Sequence, residues 1–161
     1  MAAMVAASSF APEGTRGACP CVRAGNHFIR DWRGYVTRQR ADVGVVALVE
    51  TRRGLEAISD ICAVEGVRAL LIGPFDLSVS LGFAGDYRHR DVQAALDRMI
   101  AAAQAAGLPV IAPIFDPDIA EAKRQQASWL QRGAAHFVVG TDKILFSDAA
   151  IRYSTALATL G

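Results

Sequence analysis

Four acidic residues stand close behind apolar runs, and each is a candidate for chemistry at a strand end. Glu50 closes "VGVVALVE", Asp76 follows "LLIGPF", Asp116 follows "VIAPIF" and Asp142 follows "FVVGT". Glu50 and Asp76 make the most useful pair. They lie 26 residues apart, the length of one strand–helix unit. Neighbouring strand ends are about 5 Å apart. Two carboxylates placed there can hold one hard divalent cation, with waters and substrate oxygens completing its shell. Each acid also has a plainer reading: Glu50 could pair with Arg52 or Arg53, and Asp76 could cap the helix that follows it. Asp116 and Asp142 read as caps, because each opens a helix. His89 and His136 are isolated, His27 lies in a loop, and none has a Ser or Cys partner at triad spacing.

The elements that must position these acids alternate from Val43 onward. "VGVVALVE" is a β-branched run of strand length without period-two alternation, which reads as a strand buried on both faces of a parallel sheet. "TRRGLEAISDICAVEG" reads as its helix, with Leu55, Ile58, Ile61 and Cys62 at helical spacing and Gly66 closing it. "VRALLIG" is the second strand. "RDVQAALDRMIAAAQAAG" predicts a helix that buries Val92, Leu96, Met99, Ile100 and Ala103, with Gly107 at its end. "LPVIAPIFD" and "AAHFVVG" supply two more strands. The helix after the first of these starts near Pro117 or Asp118, and "TDKILFSDAAIRYSTALATLG" reads as the last helix.

Strand–helix repeated four times implies a parallel sheet with right-handed crossovers. No G-x-G-x-x-G opens any helix, so a dinucleotide fold has no support. The other parallel architecture is the (β/α)8 barrel, of which four units make half, and which usually takes about 250 residues. Residues 1–42 read as mostly irregular, around "APEGTRGACPCVRAGN", after a short Ala-rich helix. The expectation is therefore one partial (β/α)8 domain over residues 1–161, with the four units in 43–161.

Composition narrows the function classes. The 161 residues carry 17 basic and 16 acidic side chains, a net charge of +1, which leaves no footprint for nucleic acid or acidic lipid. Hydrophobic residues at 52% can fill a core. Three cysteines without regular spacing suit a reducing cytosol, and "CPC" has no second ligand pair for zinc. No apolar run approaches the ~20 residues of a membrane span. A cytoplasmic protein acting on small molecules is expected.

The stretch from Ala47 to Gly82 resembles the HpcH/HpaI aldolase family. The resemblance rests on "ETRRGLE", "AVEGV" and "IGPFDLSVSLG", with "PEGTRG" upstream and "GLPVIAP" and "FVVGTDKILFSDA" downstream in the family's order. It implies a (β/α)8 barrel, assembled as a homo-oligomer. The implied activity makes or breaks a carbon–carbon bond next to a 2-oxo acid, with an aldehyde as second substrate. Glu50 and Asp76 fall on the family's metal ligands, for Mg²⁺ or Mn²⁺, with Co²⁺ a further candidate. Gly73, Pro74, Phe75 and Asp76 fall where the family holds the oxo-acid carboxylate. The chemistry agrees: cleavage leaves an enolate, and a chelated cation disperses that charge.

The chain departs from the pattern in three places. Leu48 stands where the family has Gln, and Phe75 where it typically has Ala, which would narrow the oxo-acid pocket. The family's catalytic Arg and His lie on strands upstream of anything matched here, so no catalytic acid–base residue is identified. The resemblance thus covers the C-terminal half of such a barrel. Such a half exposes two strand edges and an apolar face, so the chain is expected to be unstable alone or to pair with another half. The alternative reading is a truncated, inactive fragment or pseudoenzyme that acts only by subunit assembly.

Overall fold

The computed structural model describes residues 1–158, so the last three positions of the expected final helix lie outside the described residues. The β-branched runs form four strands: β1 (Val45–Val49), β2 (Val67–Ile72), β3 (Val110–Ile114) and β4 (His136–Val139). They make one all-parallel sheet in the order β1-β2-β3-β4, so β1 and β4 are its edges. The register sets Leu48 against Leu71, Leu71 against Ile111 and Ile111 against His136.

The helices between strands cover one face of this sheet. α6 (Arg90–Ala105) buries Val92, Leu96, Met99, Ile100 and Ala103 as its spacing predicts, and Ala95 as well. With Leu70, Ile72, Leu77 and Val110 these form the core. The opposite face is bare. Ala47 and Val49 turn to the helices and are buried, whereas Val46 is 45% and Leu48 49% exposed. The expectation that β1 is buried on both faces is therefore corrected: an unalternating apolar run shows that both sides are apolar, and only one side is covered.

Two local readings also change. The helix expected after Glu50 is two short ones, α3 (Arg52–Glu56) and α4 (Ile58–Cys62), broken at Ala57 with φ −96° and ψ 14°. The break lets Leu55, Ile58 and Cys62 all reach the core. Residues 1–42 are less irregular than their sequence suggests. Besides α1 (Ala2–Ser8) and a 3-10 turn at Arg23–Gly25, they hold α2 (Trp32–Asp42), capped by Asp31, which accepts from the Gly34 N–H at 2.9 Å. α2 buries only Tyr35, in an aromatic cluster with Phe10 and Trp32. One buried residue in eleven leaves no apolar stripe to detect.

α5 (Pro74–Leu81) and α7 (Ile119–Gln131) follow β2 and β3, and α8 (Asp142–Ala158) follows β4. No helix among the described residues is long and apolar enough to cross a membrane.

Candidate metal centre at the strand ends

Glu50 follows β1 immediately, and Gly73 follows β2; the Gly73 N–H donates to the Val49 carbonyl at 3.2 Å and ties the two ends together. Gly73 is then the N-cap of α5, and Pro74 opens that helix with its fixed φ and no N–H to leave unpaired. Phe75 and Asp76 complete the first turn, where backbone N–H groups lack intrahelical acceptors. Asp76 is thus a first-turn residue. The alternative that it caps the helix is ruled out, since Gly73 holds the cap position without any side-chain cap bond.

Glu50 lies directly over Gly73. A Cβ at position 73 would come 2.6 Å from Glu50 Cβ and 2.7 Å from its Oε2. Only glycine leaves room for the carboxylate there. The pairing of Glu50 with Arg52 or Arg53 does not occur among the described residues. Arg52 is committed elsewhere: its N–H donates to Ser80 Oγ at 2.9 Å and its guanidinium to the Leu81 carbonyl at 3.0 Å. Glu50 is half-buried and Asp76 exposed, and neither carboxylate has a hydrogen bond or ion pair among the described residues.

Both acids line one cleft of about 910 Å³ at the C-terminal ends of the strands. Its rim is aromatic. Phe75 is 59% exposed, and its ring lies across Gly85, where a Cβ would meet Phe75 Cε2 at 2.9 Å. Gly85 has φ +93°, so this loop position is doubly restricted to glycine. Tyr87 and Phe115 also line the cleft.

Sequence reasoning passed over the charged wall opposite. Arg124 donates to Glu121 Oε2 at 2.8 and 2.6 Å, and Arg88 reaches Glu121 Oε1 at 3.2 Å. Arg124, with Arg88 behind it, holds the Glu121 carboxyl below the usual glutamate range; Tyr87 first, then Glu121, holds the Arg88 guanidinium the more firmly charged. None of Arg88, Glu121 and Arg124 stands directly behind an apolar run, so their spacing gave no signal.

The other acids are spent locally. Asp116 Oδ1 accepts from the Asp118 N–H at 2.9 Å, and Asp118 caps α7 by accepting from the Glu121 N–H at 2.8 Å. Asp142 is not the cap it was expected to be: Thr141 Oγ1 accepts from the Ile144 N–H, and Asp142 sits in the first turn of α8. His89 caps α6 and stacks on Phe83 at 4.0 Å between ring centres. His136 is exposed on β4, and His27 has φ 66° in its loop.

The donor set suits a hard cation. Among the described residues no group of three or more His, Cys, Asp and Glu converges. Two carboxylates without partners among the described residues, one seated over a glycine that leaves it space, match an ion that keeps several water ligands.

A parallel sheet with helices on one face and acids at the C-terminal ends of its strands is part of a (β/α)8-type barrel. The chain belongs to the HpcH/HpaI aldolase/citrate lyase family, whose pattern matches residues 1–149. It is similar to the hydroxypyruvate/pyruvate aldolase of Paraburkholderia phytofirmans, 41% identical over 119 residues, which cover 74% of this chain and 44% of that protein. The 2-dehydro-3,6-dideoxy-6-sulfogluconate aldolase of Pseudomonas putida is 32% identical, covering 96% of this chain and 58% of that protein. A solved HpcH/HpaI aldolase/citrate lyase family protein from Burkholderia cenocepacia superposes with a TM-score of 0.82 at 33% identity, covering 98% of this chain and 60% of that one. The chain thus spans between 44% and 60% of the length of these relatives.

Proposed function

We propose that this chain carries the metal half of an aldolase site, which makes or breaks a carbon–carbon bond beside a 2-oxo acid, with an aldehyde as second substrate. The names of the two sequence relatives above, both aldolases, support the reaction class. In the cleavage direction the bond between C3 and C4 of a 4-hydroxy-2-oxo acid breaks. Its electron pair stays with the three-carbon part as an enolate, and the 4-hydroxyl loses its proton as the aldehyde forms. A divalent cation, Mg²⁺ or Mn²⁺ with Co²⁺ a further candidate, would supply Lewis acidity to the 2-oxo group.

The chain's own residues then have these tasks. Glu50 and Asp76 hold the cation. The first turn of α5, from Gly73 through Pro74 and Phe75 to Asp76, receives the oxo-acid carboxylate, because N–H groups without acceptors and the helix dipole both favour an anion there. Gly73 keeps the floor low enough for Glu50 to lie across it. Phe75, braced on Gly85, narrows the mouth and favours a short 2-oxo acid. The proton of the 4-hydroxyl is assigned to no residue of this chain. A net charge of +1 and three free cysteines favour a cytoplasmic enzyme of small molecules, with neither nucleic acid nor membrane as partner.

The observation that carries this reading is a pair of carboxylates without partners among the described residues, one directly behind β1 and lying over glycine, the other in the first turn of the helix that follows β2. A Mn²⁺ titration followed by electron paramagnetic resonance tests it. Glu50→Ala and Asp76→Ala should each weaken binding by more than the ~10- to 100-fold that losing an outer-shell partner costs. Wild-type affinity in either variant overturns the assignment.

A further inference from the structure

The loop between α5 and α6, which carries Tyr87 and Arg88 into the cleft wall, is held from behind. We propose that Gln93 and Arg132 are positioning residues for the second substrate, acting on this rim through the Tyr87 carbonyl. The role toward the second substrate rests on the aldolase reading; the fixing of the rim does not.

Arg132, the C-cap of α7, has every guanidinium nitrogen engaged. Nε donates to Asp97 Oδ1 at 2.9 Å, and Nη2 lies 2.8 Å from the same oxygen. Nη2 also donates to the Gln93 carbonyl at 3.2 Å, and Nη1 to Gln93 Oε1 at 2.8 Å. The guanidinium lies over the Trp129 ring, 4.6 Å from its centre. Trp129 Nε1 in turn donates to the carbonyl of Pro113 in β3 at 3.2 Å. The Arg132 side chain is only 18% exposed, so water competes poorly for these bonds.

A guanidinium has donors and no acceptor. Gln93 must therefore turn its amide oxygen to Arg132, which leaves its NH₂ facing away. That Nε2 donates to the Tyr87 carbonyl at 2.5 Å. A line of contacts thus runs from β3 through Trp129, Arg132 and Gln93 to the rim.

The rim needs such an anchor. Gly82 and Gly85 have φ +95° and +93°, and Ala84 between them has φ 50°. The left-handed conformation costs a residue with a Cβ, so Ala84 stays there only while its surroundings hold it. The loop's flanks are fixed by Phe75 across Gly85 and by Arg88 on Glu121. Gln93 fixes the residue between them. Tyr87 and Arg88 line the cleft outside the first turn of α5, where the oxo-acid carboxylate sits, so they face the part that becomes the aldehyde. A wall fixed before the ligand arrives has no ordering cost left to meet on binding.

Hydrogen exchange on the wild-type chain and Gln93→Glu tests the fixing of the rim. A carboxylate at position 93 still accepts from Arg132, so α6 and α7 stay joined, but it has no N–H for the Tyr87 carbonyl. The Arg88 and His89 amides, both bonded to Asp86, should exchange about tenfold faster, as the loss of one hydrogen bond allows. The Leu96 and Met99 amides should keep their wild-type rates. Arg132→Lys keeps the charge but not the planar fork. It should speed the same two rim amides by less, and it keeps the test decisive if the first variant fails to fold. Unchanged rim amides overturn the proposal. So does an equal loosening of Leu96 and Met99, the mark of a merely structural joint.

Calorimetry of the Mn²⁺-loaded chain with 4-hydroxy-2-oxopentanoate and with pyruvate tests the role toward substrate. Gln93→Glu should raise the dissociation constant of the longer acid about tenfold and leave that of pyruvate unchanged. Equal weakening of both, or of neither, overturns that role. If neither acid binds the wild-type chain, the aldolase reading and the substrate role fall together, and the exchange rates alone decide the fixing of the rim.

Discussion

α6 and α8 are nearly equal in length, at 16 and 17 residues, and both carry bulky apolar side chains. α6 buries six residues and α8 none. Their sequences differ in arrangement: α6 gathers its apolar residues on one side, whereas those of α8 are spread round the helix. The surface beneath differs too: α6 lies over two strands of the sheet, whereas α8 follows its last described strand. An apolar stripe is a capacity for burial, and the sheet decides whether it is used. α7 is intermediate, contacting β3 and burying Trp129, whose Nε1 donates to the Pro113 carbonyl at 3.2 Å.

Substitutions along these three helices should grade accordingly. Leu96→Ala on α6 empties a fully buried position. It should cost about 3 kcal/mol, within the usual span for Leu→Ala in a core, read from urea denaturation; a loss under 1 kcal/mol would show that α6 is loosely held. On α7, where packing contributes less, the cap matters relatively more. Asp118→Ala should cost about 1 kcal/mol and speed amide exchange in the first turn; unchanged exchange there would mean that Asp118 does not hold the helix start. Phe146→Ala on α8 should change stability by no more than about 0.5 kcal/mol at concentrations low enough for single chains. A larger loss there would erase the contrast between α6 and α8.

The carboxylate pair shows how far residue spacing reaches. Glu50 and Asp76 could be picked out because a parallel sheet brings the C-terminal ends of its strands to one side, so acids behind apolar runs gather there. The competing readings, ion pairing for Glu50 and capping for Asp76, needed coordinates. Arg52 turned to the Leu81 carbonyl, and Gly73 took the cap position. Thr141 displaced Asp142 as a cap for a similar reason: either side chain could reach an N–H of the first turn, and backbone geometry chose. Arg88, Arg124 and Glu121 were illegible because their common wall joins the loop before α6 to the start of α7, 33 residues away.

By itself the sequence determined the four strands, the buried stripe of α6 and the acids at the strand ends. These follow from local periodicity and from the order of elements along the chain. Tertiary structure alone decided that α3 and α4 break at Ala57, that α2 forms over one aromatic cluster, and that the sheet has one covered face and one bare one. Each of these depends on what lies across from a residue rather than beside it. Hydrophobicity marks a side chain as fit for burial, but the covering surface comes from elements far away in sequence.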